Sequence, residues 1–309
     1  MSEAVTVQIN LPSFAKDLNF EVVYQGRNSL TLASMSVERP GLQLAGFFDY
    51  FDTRRILVFG LAEYEYLQTF SSEERKQKFS ALFSAGEVPC VILSRNLPAM
   101  SELIEAVELV KCPVLRSSKV TTDLMNDLYI YLNRQLAPTT SEHGVLMEVF
   151  GVGILLTGKS GVGKSETAIE LIKRGHRLVA DDCVIIKQIA NELYGTCPDR
   201  IRYFMELRGV GIINVKSMYG SGSILHEKKV ELVAEMEDLI PGKDYDRIGD
   251  KGDYAEYLGV RIPKLTIPVT PGRNLAIVLE VAARHQRLKN MGYDASQELI
   301  ERSLGFNNN

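Results

Sequence analysis

The sequence predicts an α/β protein of two domains, an N-terminal α/β domain and a C-terminal phosphate-loop domain with a mixed, strand-rich core. Short apolar runs alternate with amphipathic helical stretches over roughly the first 130 residues, which is typical of layered α/β structure. A glycine-rich loop follows at residues 158–165, and strand-like runs continue beyond it. The chain of 309 residues is long enough for two separate cores, and we place the boundary between residues 133 and 134.

In the first domain, short apolar runs predict buried strands, and apolar residues repeating every three or four positions predict helices. The predicted strands are residues 5–9, 56–59, 90–93 and 114–115, and the predicted helices are residues 12–19, 62–70, 72–84 (capped by Ser72), 98–110 and 122–136. No phosphate loop or cluster of ligands occurs in this stretch. The sequence therefore leaves open whether this domain assembles subunits, binds a regulator or only supports the second domain.

The second domain is predicted to follow a polar linker at residues 138–141. Apolar runs at residues 145–150 and 153–157 indicate an antiparallel hairpin. After the phosphate loop we expect a helix ending near Gly175, strands at residues 177–180 and 184–186, and two final helices at residues 275–289 and 295–304.

The glycine-rich loop fits the pattern G-x-x-x-x-G-K-[ST] at every fixed position. Its residues are Gly158, Lys159, Ser160, Gly161, Val162, Gly163, Lys164 and Ser165. In such loops, backbone N–H groups and the N-terminus of the following helix surround a phosphate chain. The lysine reaches the outer phosphates and the hydroxyl holds a divalent cation. The loop therefore predicts binding of a nucleotide or a similar polyphosphate.

Other polar residues are candidates for the chemistry at that phosphate chain. Asp181 and Asp182 follow an apolar strand, where a carboxylate could coordinate a metal through water or accept a proton from an attacking hydroxyl. An acidic turn without such a role is the alternative. Glu206 is a possible oxygen ligand for magnesium. His143 lies 15 residues before the loop, and the alternatives for it are a surface imidazole or a packing residue. Arg247 could clamp a phosphate or be a solvated loop arginine.

Composition excludes several classes of protein. The net charge of −4 argues against a nucleic-acid partner, and no apolar run approaches the roughly 20 residues of a membrane-spanning helix. The first residues lack a basic-then-apolar pattern, so we expect no secretion signal. The four cysteines form no C-x-x-C pair and fit reduced thiols in a cytoplasmic protein. A guanine-reading Asn-Lys-x-Asp segment is absent, which disfavours a GTPase.

These stretches together resemble the bacterial HPr kinase/phosphorylase family. The resemblance rests on His143-Gly144, the phosphate loop continuing Lys164-Ser165-Glu166-Thr167, Val179-Ala180-Asp181-Asp182, the string Glu206-Leu207-Arg208-Gly209-Val210-Gly211-Ile212-Ile213-Asn214-Val215, and Pro268-Val269-Thr270-Pro271-Gly272-Arg273-Asn274. It covers the second domain from end to end. The phosphate loop is shared by many proteins, whereas the longer string beside it is far more specific.

The resemblance implies a bifunctional enzyme that controls carbon catabolite repression. It would phosphorylate a serine of the phosphocarrier protein HPr with ATP, or with pyrophosphate, and remove that phosphate with inorganic phosphate to yield pyrophosphate. Asp182 would exchange the serine proton, with Asp181 the less certain candidate, and His143, Lys164 and Arg247 would act on the phosphoryl group. Ser165 and Glu206 would hold Mg²⁺. Residues 205–214 would matter in both directions, and residues 268–273 chiefly in dephosphorylation. The family also implies a hexamer controlled by glycolytic metabolites such as fructose 1,6-bisphosphate.

The residues leave two other functions open. One is a phosphate-loop kinase of a small molecule, with the first domain as a lid over the substrate. The other is an ATP-sensing module that controls the assembly of a partner and transfers no phosphate.

Overall fold

The computed structural model describes residues 6–243, 245 and 252–303, which form two compact units divided between Ala137 and Pro138. Both units are layered α/β structures, so the predicted fold class is confirmed. Among the helices of these residues, none combines the length and apolar character needed to cross a membrane.

The N-terminal unit is organised around a mostly parallel sheet. Its elements are β1 (Val7–Asn10), α1 (Leu11–Asp17), β2 (Glu21–Tyr24), β3 (Ser29–Leu32), β4 (Val37–Glu38), α2 (Gly41–Leu44), β5 (Ile56–Phe59), α3 (Leu61–Gln68), α4 (Ser72–Ser84), β6 (Val91–Leu93), α5 (Ser101–Val110), β7 (Val114–Arg116) and α6 (Thr121–Gln135). The sheet order is β2-β7-β6-β5-β4, with β2 antiparallel to β7 and the other pairs parallel. Helices cover both faces, since α1 and α6 pack in one core cluster and α3 to α5 in the other.

The capping residue of α4 differs from the predicted one. The Ser72 cap was wrong, because Ser71 is the N-cap of α4 and accepts a hydrogen bond from the Glu74 backbone N–H. The Glu74 carboxylate accepts one in return from the Ser71 N–H (2.8 Å). This reciprocal capping box needs an acid three residues after the cap, which Ser71 has and Ser72 lacks.

The C-terminal unit contains two larger sheets and a hairpin. Its elements are β8 (Thr139–His143), β9 (Val145–Val149), β10 (Val152–Gly158), α7 (Lys164–Lys173), β11 (Arg177–Ala180), β12 (Cys183–Ile189), β13 (Glu192–Thr196), β14 (Phe204–Leu207), β15 (Gly211–Asn214), α8 (Val215–Tyr219), β16 (Glu227–Lys229), β17 (Leu232–Asp238), β18 (Tyr254–Tyr257), β19 (Val260–Val269), α9 (Leu275–Asn290) and α10 (Ala295–Ser303), with short 3₁₀ turns at Asp199–Ile201 and Ser221–Ser223.

Three layers make up the core of this unit. A six-stranded sheet, ordered β11-β9-β10-β17-β19-β18, lies between helices α7 and α9 on one face and a four-stranded sheet, ordered β16-β13-β12-β8, on the other. Along β9, Val145 and Met147 face the helices and Leu146 faces the second sheet. This alternation buries both faces of β9, which explains why its sequence is a continuous apolar run.

The predicted linker at residues 138–141 was wrong. Residues Thr139–His143 form β8, which pairs antiparallel with β12 through Thr139 opposite Lys187 and His143 opposite Cys183. The β-branched threonines suit a strand, and the strand exists because a partner about 40 residues away supplies its hydrogen bonds. The predicted hairpin of β9 and β10 is confirmed, with Val152 opposite Val149.

Candidate active site

The phosphate loop leaves the end of β10 and enters α7. Gly163 is the residue before the helix, with a φ of 100°, and Lys164 is the first residue of α7. The Lys164 side chain is buried, and its ammonium donates hydrogen bonds to the carbonyls of Gly158 (2.8 Å) and Lys159 (3.0 Å). Burial lowers the pKa of Lys164. The charge is therefore held inside the curl of the loop, where a phosphate would meet it.

Two of the places where the chain passes directly from one sheet to the other are adjacent. The first lies between β8 and β9 at Gly144, and the second lies between β11 and β12 at Asp181-Asp182. The Gly144 N–H donates a hydrogen bond to the Asp182 carbonyl (3.2 Å). His143 and Asp182 therefore come together, with 3.1 Å between His143 Nδ1 and Asp182 Oδ1.

Asp182 and Asp181 have opposite environments. Asp182 is exposed and its φ of 66° lies in the left-handed region, which Asp tolerates better than most residues and which is common at functional sites. Asp181 is buried, and burial raises its pKa. Its carboxylate accepts hydrogen bonds from the Ser165 hydroxyl (3.1 Å) and from the Glu206 backbone N–H (3.2 Å). Asp181 is thus a fixed connection between the phosphate loop and β14, whereas Asp182 is free to meet a substrate.

Most of the candidate residues face one cavity of about 130 Å³. Its lining residues are His143, Ser160, Gly161, Gly163, Lys164, Ser165, Glu166, Asp181, Asp182, Glu206 and Arg208. Pockets that enclose a whole small-molecule ligand are usually about 300–1,000 Å³, so this cavity suits the phosphate end of a nucleotide. Gly158, Lys159 and Val162 belong to the loop but do not line the cavity. Arg247 lies outside the described residues.

The oxygen donors of the cavity suit a hard divalent cation. Mg²⁺ binds one or two protein oxygens together with substrate phosphates and water. Ser165 and Glu206, the predicted ligands, both line the cavity. Because the Ser165 hydroxyl donates its hydrogen to Asp181, its lone pairs remain available to a cation. Within the described residues, no group of three or more His, Cys, Asp or Glu side chains forms a metal site of protein ligands alone.

Two charged lining residues belong to the stretches that carry the family resemblance, but neither was given an individual role from the sequence. Glu166 follows Ser165 directly in the first turn of α7, and Arg208 occupies the turn between β14 and β15. The signal available for Arg208 was a charged residue followed by Gly209 and Gly211 in a tight turn. Its distance from the phosphate loop along the chain concealed the contact.

Comparisons with known proteins show the family of this chain. A family model described as "HPr Serine kinase C-terminal domain" matches residues 134–303, and one described as "HPr Serine kinase N terminus" matches residues 9–132. Proteins named HPr kinase/phosphorylase are 46% identical over 298 residues in Alkaliphilus metalliredigens and 44% identical over 302 residues in Caldanaerobacter subterraneus subsp. tengcongensis. These matches cover 96% of this chain in both cases, and 96% and 98% of the relatives.

A solved structure, titled Hpr(Ser) kinase/phosphatase from Coxiella burnetii, is 34% identical, with a TM-score of 0.47, over 52% of this chain and 98% of that one. The matches to family models and relatives confirm the predicted resemblance and the predicted class of enzyme, a serine kinase and phosphorylase. The chain belongs to the HPr kinase/phosphorylase family.

Proposed function

We propose that this chain phosphorylates a serine of the phosphocarrier protein HPr with ATP and dephosphorylates it with inorganic phosphate, and that it thereby controls carbon catabolite repression. The observation that carries the proposal is the cavity in which Lys164 of the phosphate loop faces the exposed pair His143 and Asp182. A bound phosphate chain and a protein hydroxyl could meet there. Pyrophosphate is the proposed alternative donor.

In the kinase direction, the serine oxygen attacks the γ-phosphorus, the bond from that phosphorus to the bridging oxygen breaks, and ADP leaves. Asp182 accepts the serine proton, and His143 keeps the carboxylate oriented. In the opposite direction an oxygen of inorganic phosphate attacks the phosphoserine phosphorus, and the bond from that phosphorus to the serine oxygen breaks. Pyrophosphate forms, and protonated Asp182 gives its proton to the departing serine oxygen. Lys164 and Arg247 stabilise the phosphoryl charge in both directions.

Asp181 acts as a positioning residue in this proposal. It is buried and both of its oxygens accept hydrogen bonds, so it is poorly placed to take the proton of an incoming hydroxyl. Ser165 and Glu206 would hold Mg²⁺, and the bound ion would neutralise charge on the phosphates.

The proposed domain roles, assembly, location and partner rest on the family resemblance. Residues 134–309 are the proposed catalytic domain, and residues 1–133 serve regulation or assembly. The proposed assembly is a homohexamer in the cytoplasm, with HPr as its protein partner and neither nucleic acid nor membrane involved.

The proposal is tested by incubating the purified chain with γ-labelled ATP, Mg²⁺ and HPr, followed by addition of phosphate. We expect label on one serine of HPr and its release as labelled pyrophosphate. Lys164→Ala and Asp182→Asn should each lower both rates by about 100-fold or more. Lys173→Ala is the matched control, because Lys173 is an exposed lysine in the last turn of the same helix.

Two results would contradict the proposal. Label appearing only on a small molecule would indicate a different kinase. Tight ATP binding without transfer to HPr would indicate a sensing module.

A further inference from the structure

Arg208 is placed over the phosphate loop by the hairpin of β14 and β15. Its Nη2 lies 3.4 Å from the Ser160 hydroxyl oxygen, and its guanidinium lies against the backbone of Gly161. A Cβ atom added at Gly161 would stand 2.5 Å from Arg208 Nη1 and 2.8 Å from Cζ. The phosphate-loop pattern leaves position 161 free, and the φ of 83° at Gly161 favours glycine there in any case. The absence of a side chain there is what lets the guanidinium approach the loop.

The positive charge of Arg208 has a neutral partner. In the same unit Arg174, Arg177 and Arg202 each pair with a carboxylate. Among the residues that the structure describes, Arg208 forms no ion pair, and its hydrogen bond is to the Ser160 hydroxyl. Glu166 and Glu206 line the same cavity without forming a salt bridge to it. A guanidinium in that position can exchange one weak hydrogen bond for two charge-assisted bonds to a phosphate.

The base of the hairpin is fixed, whereas its turn is exposed. Met205 is buried in the core, and the Glu206 N–H donates its hydrogen bond to Asp181. Beyond the base, Val210 is 73% exposed and Ile212 is 76% exposed. The hairpin therefore holds the backbone of Arg208 at a fixed distance from Asp181, and its exposed turn leaves the Arg208 side chain room to move with a phosphate.

We infer that Arg208 is a catalytic residue that leaves Ser160 and binds the oxygens of the transferring phosphoryl group, acting as an arginine finger supplied by the same chain. The inference rests on the proposed phosphoryl transfer. Phosphoryl-transfer catalysis consists largely of positioning and charge stabilisation, and such an arginine raises the rate by stabilising charge in the transition state. The planar fork of Arg208 suits two oxygens at once, which a lysine cannot match.

The experiment compares Arg208→Ala and Arg208→Lys with the unmodified chain. Arg200→Ala is the matched control, since Arg200 is an exposed arginine of the same unit outside the cavity. We measure kcat for HPr phosphorylation and for phosphate-driven dephosphorylation, the Kd of ATP, and the Kd of ADP with and without aluminium fluoride, which mimics the transferring phosphoryl group. Thermal unfolding of each variant shows whether it is folded, and Arg208→Lys remains as the test if the alanine variant is not.

We expect Arg208→Ala to lower kcat by about 100-fold or more in both directions. The Kd of ATP should change by less than about tenfold, because the interaction belongs to the transition state. Aluminium fluoride should tighten ADP binding far less in this variant than in the unmodified chain, and Arg208→Lys should recover part of each loss.

Other results would overturn the inference. One is a kcat within about threefold of the Arg200→Ala control. Another is an equal loss of affinity for ADP with and without aluminium fluoride. If the unmodified chain does not label HPr, the proposed function fails, but the fluoride measurement still tests Arg208. If HPr is labelled normally by Arg208→Ala, the inference alone fails.

Discussion

Replacing Asp181 with asparagine would test whether this carboxylate orients Ser165 for the metal. Asparagine has the same shape, and its amide oxygen can still accept the hydrogen bond from the Glu206 N–H. Its NH₂ group would then face the Ser165 oxygen, which now receives a hydrogen bond where it previously donated one to Asp181 (3.1 Å). The Ser165 hydroxyl hydrogen must turn elsewhere, and a lone pair needed for Mg²⁺ is occupied.

This reversal should weaken Mg²⁺ binding. Loss of a hydrogen bond that orients a metal ligand typically lowers metal affinity or activity by about 10- to 100-fold. We therefore expect Asp181→Asn to need about 10 to 100 times more Mg²⁺ for half-maximal phosphorylation of HPr. At saturating Mg²⁺ its rate should recover much further than that of Asp182→Asn, because the proposed proton acceptor is intact.

The same variant should bind Mg²⁺ more weakly and yet be no less stable towards unfolding at pH 8. Burial raises the pKa of Asp181 above its ordinary value of 3.8, so the folded chain binds more protons there than the unfolded chain. The free energy of unfolding therefore decreases as the pH rises from 3.8 through the folded pKa. Asparagine carries no such charge, so at pH 8 the variant should be at least as stable as the unmodified chain.

The assay is a Mg²⁺ titration of HPr phosphorylation together with denaturant unfolding at pH 8. Asp49→Asn removes the same charge from an exposed residue of the N-terminal unit and is the control. An unchanged Mg²⁺ requirement would refute the orienting role of Asp181. Clear destabilisation at pH 8 would refute the argument from burial.

Two further predictions concern the fold itself. Gly153→Ala places a Cβ atom 1.8 Å from the Lys229 carbonyl oxygen, so it should destabilise the chain by about 2 kcal/mol or more. Gly222→Ala, where the added atom meets nothing within 4 Å, should be far milder in the same denaturant titration, and equal effects would contradict the steric reason. Glu102→Gln should destabilise the chain at neutral pH, because hydrogen bonds from Ser72 and Arg75 lower the pKa of Glu102 to about 2. This stabilisation is complete above pH 4.5 and is lost as the pH falls towards about 2, so unfolding midpoints that differ equally at pH 7 and pH 2.5 would contradict it.

Some elements could be predicted because their sequence signals lie within a few neighbouring residues. The phosphate loop, helix α7 and the hairpin of β9 and β10 follow from residues that are close in sequence, because backbone curvature, helix periodicity and strand alternation act over a few positions. The aspartates at the end of β11 were also predictable, since an apolar strand had to end there.

Contacts between distant segments could not be predicted in this way. Strand β8 was interpreted as a linker because its hydrogen bonds come from β12. Arg208 and Ser160 are 48 positions apart in the sequence, and no local pattern at either residue predicts their contact. The proximity of His143 to Asp182 likewise depends on the pairing of β8 with β12. Before the structure, only the family resemblance placed these two residues in the same site.

The two adjacent crossings between the sheets, at Gly144 and at Asp181-Asp182, connect the chemistry to the interior of the unit. His143 and Asp182 lie at these adjacent crossings, so the distance between them depends on how the two sheets are stacked. Leu146 and Val184 lie just behind those crossings, in the apolar seam that both sheets share. A change of volume in that seam would tilt one layer against the other and pull the imidazole away from the carboxylate. The rate of turnover would then fall while the free energy of unfolding changed little. The turnover rate is therefore more sensitive than stability to the packing between these sheets.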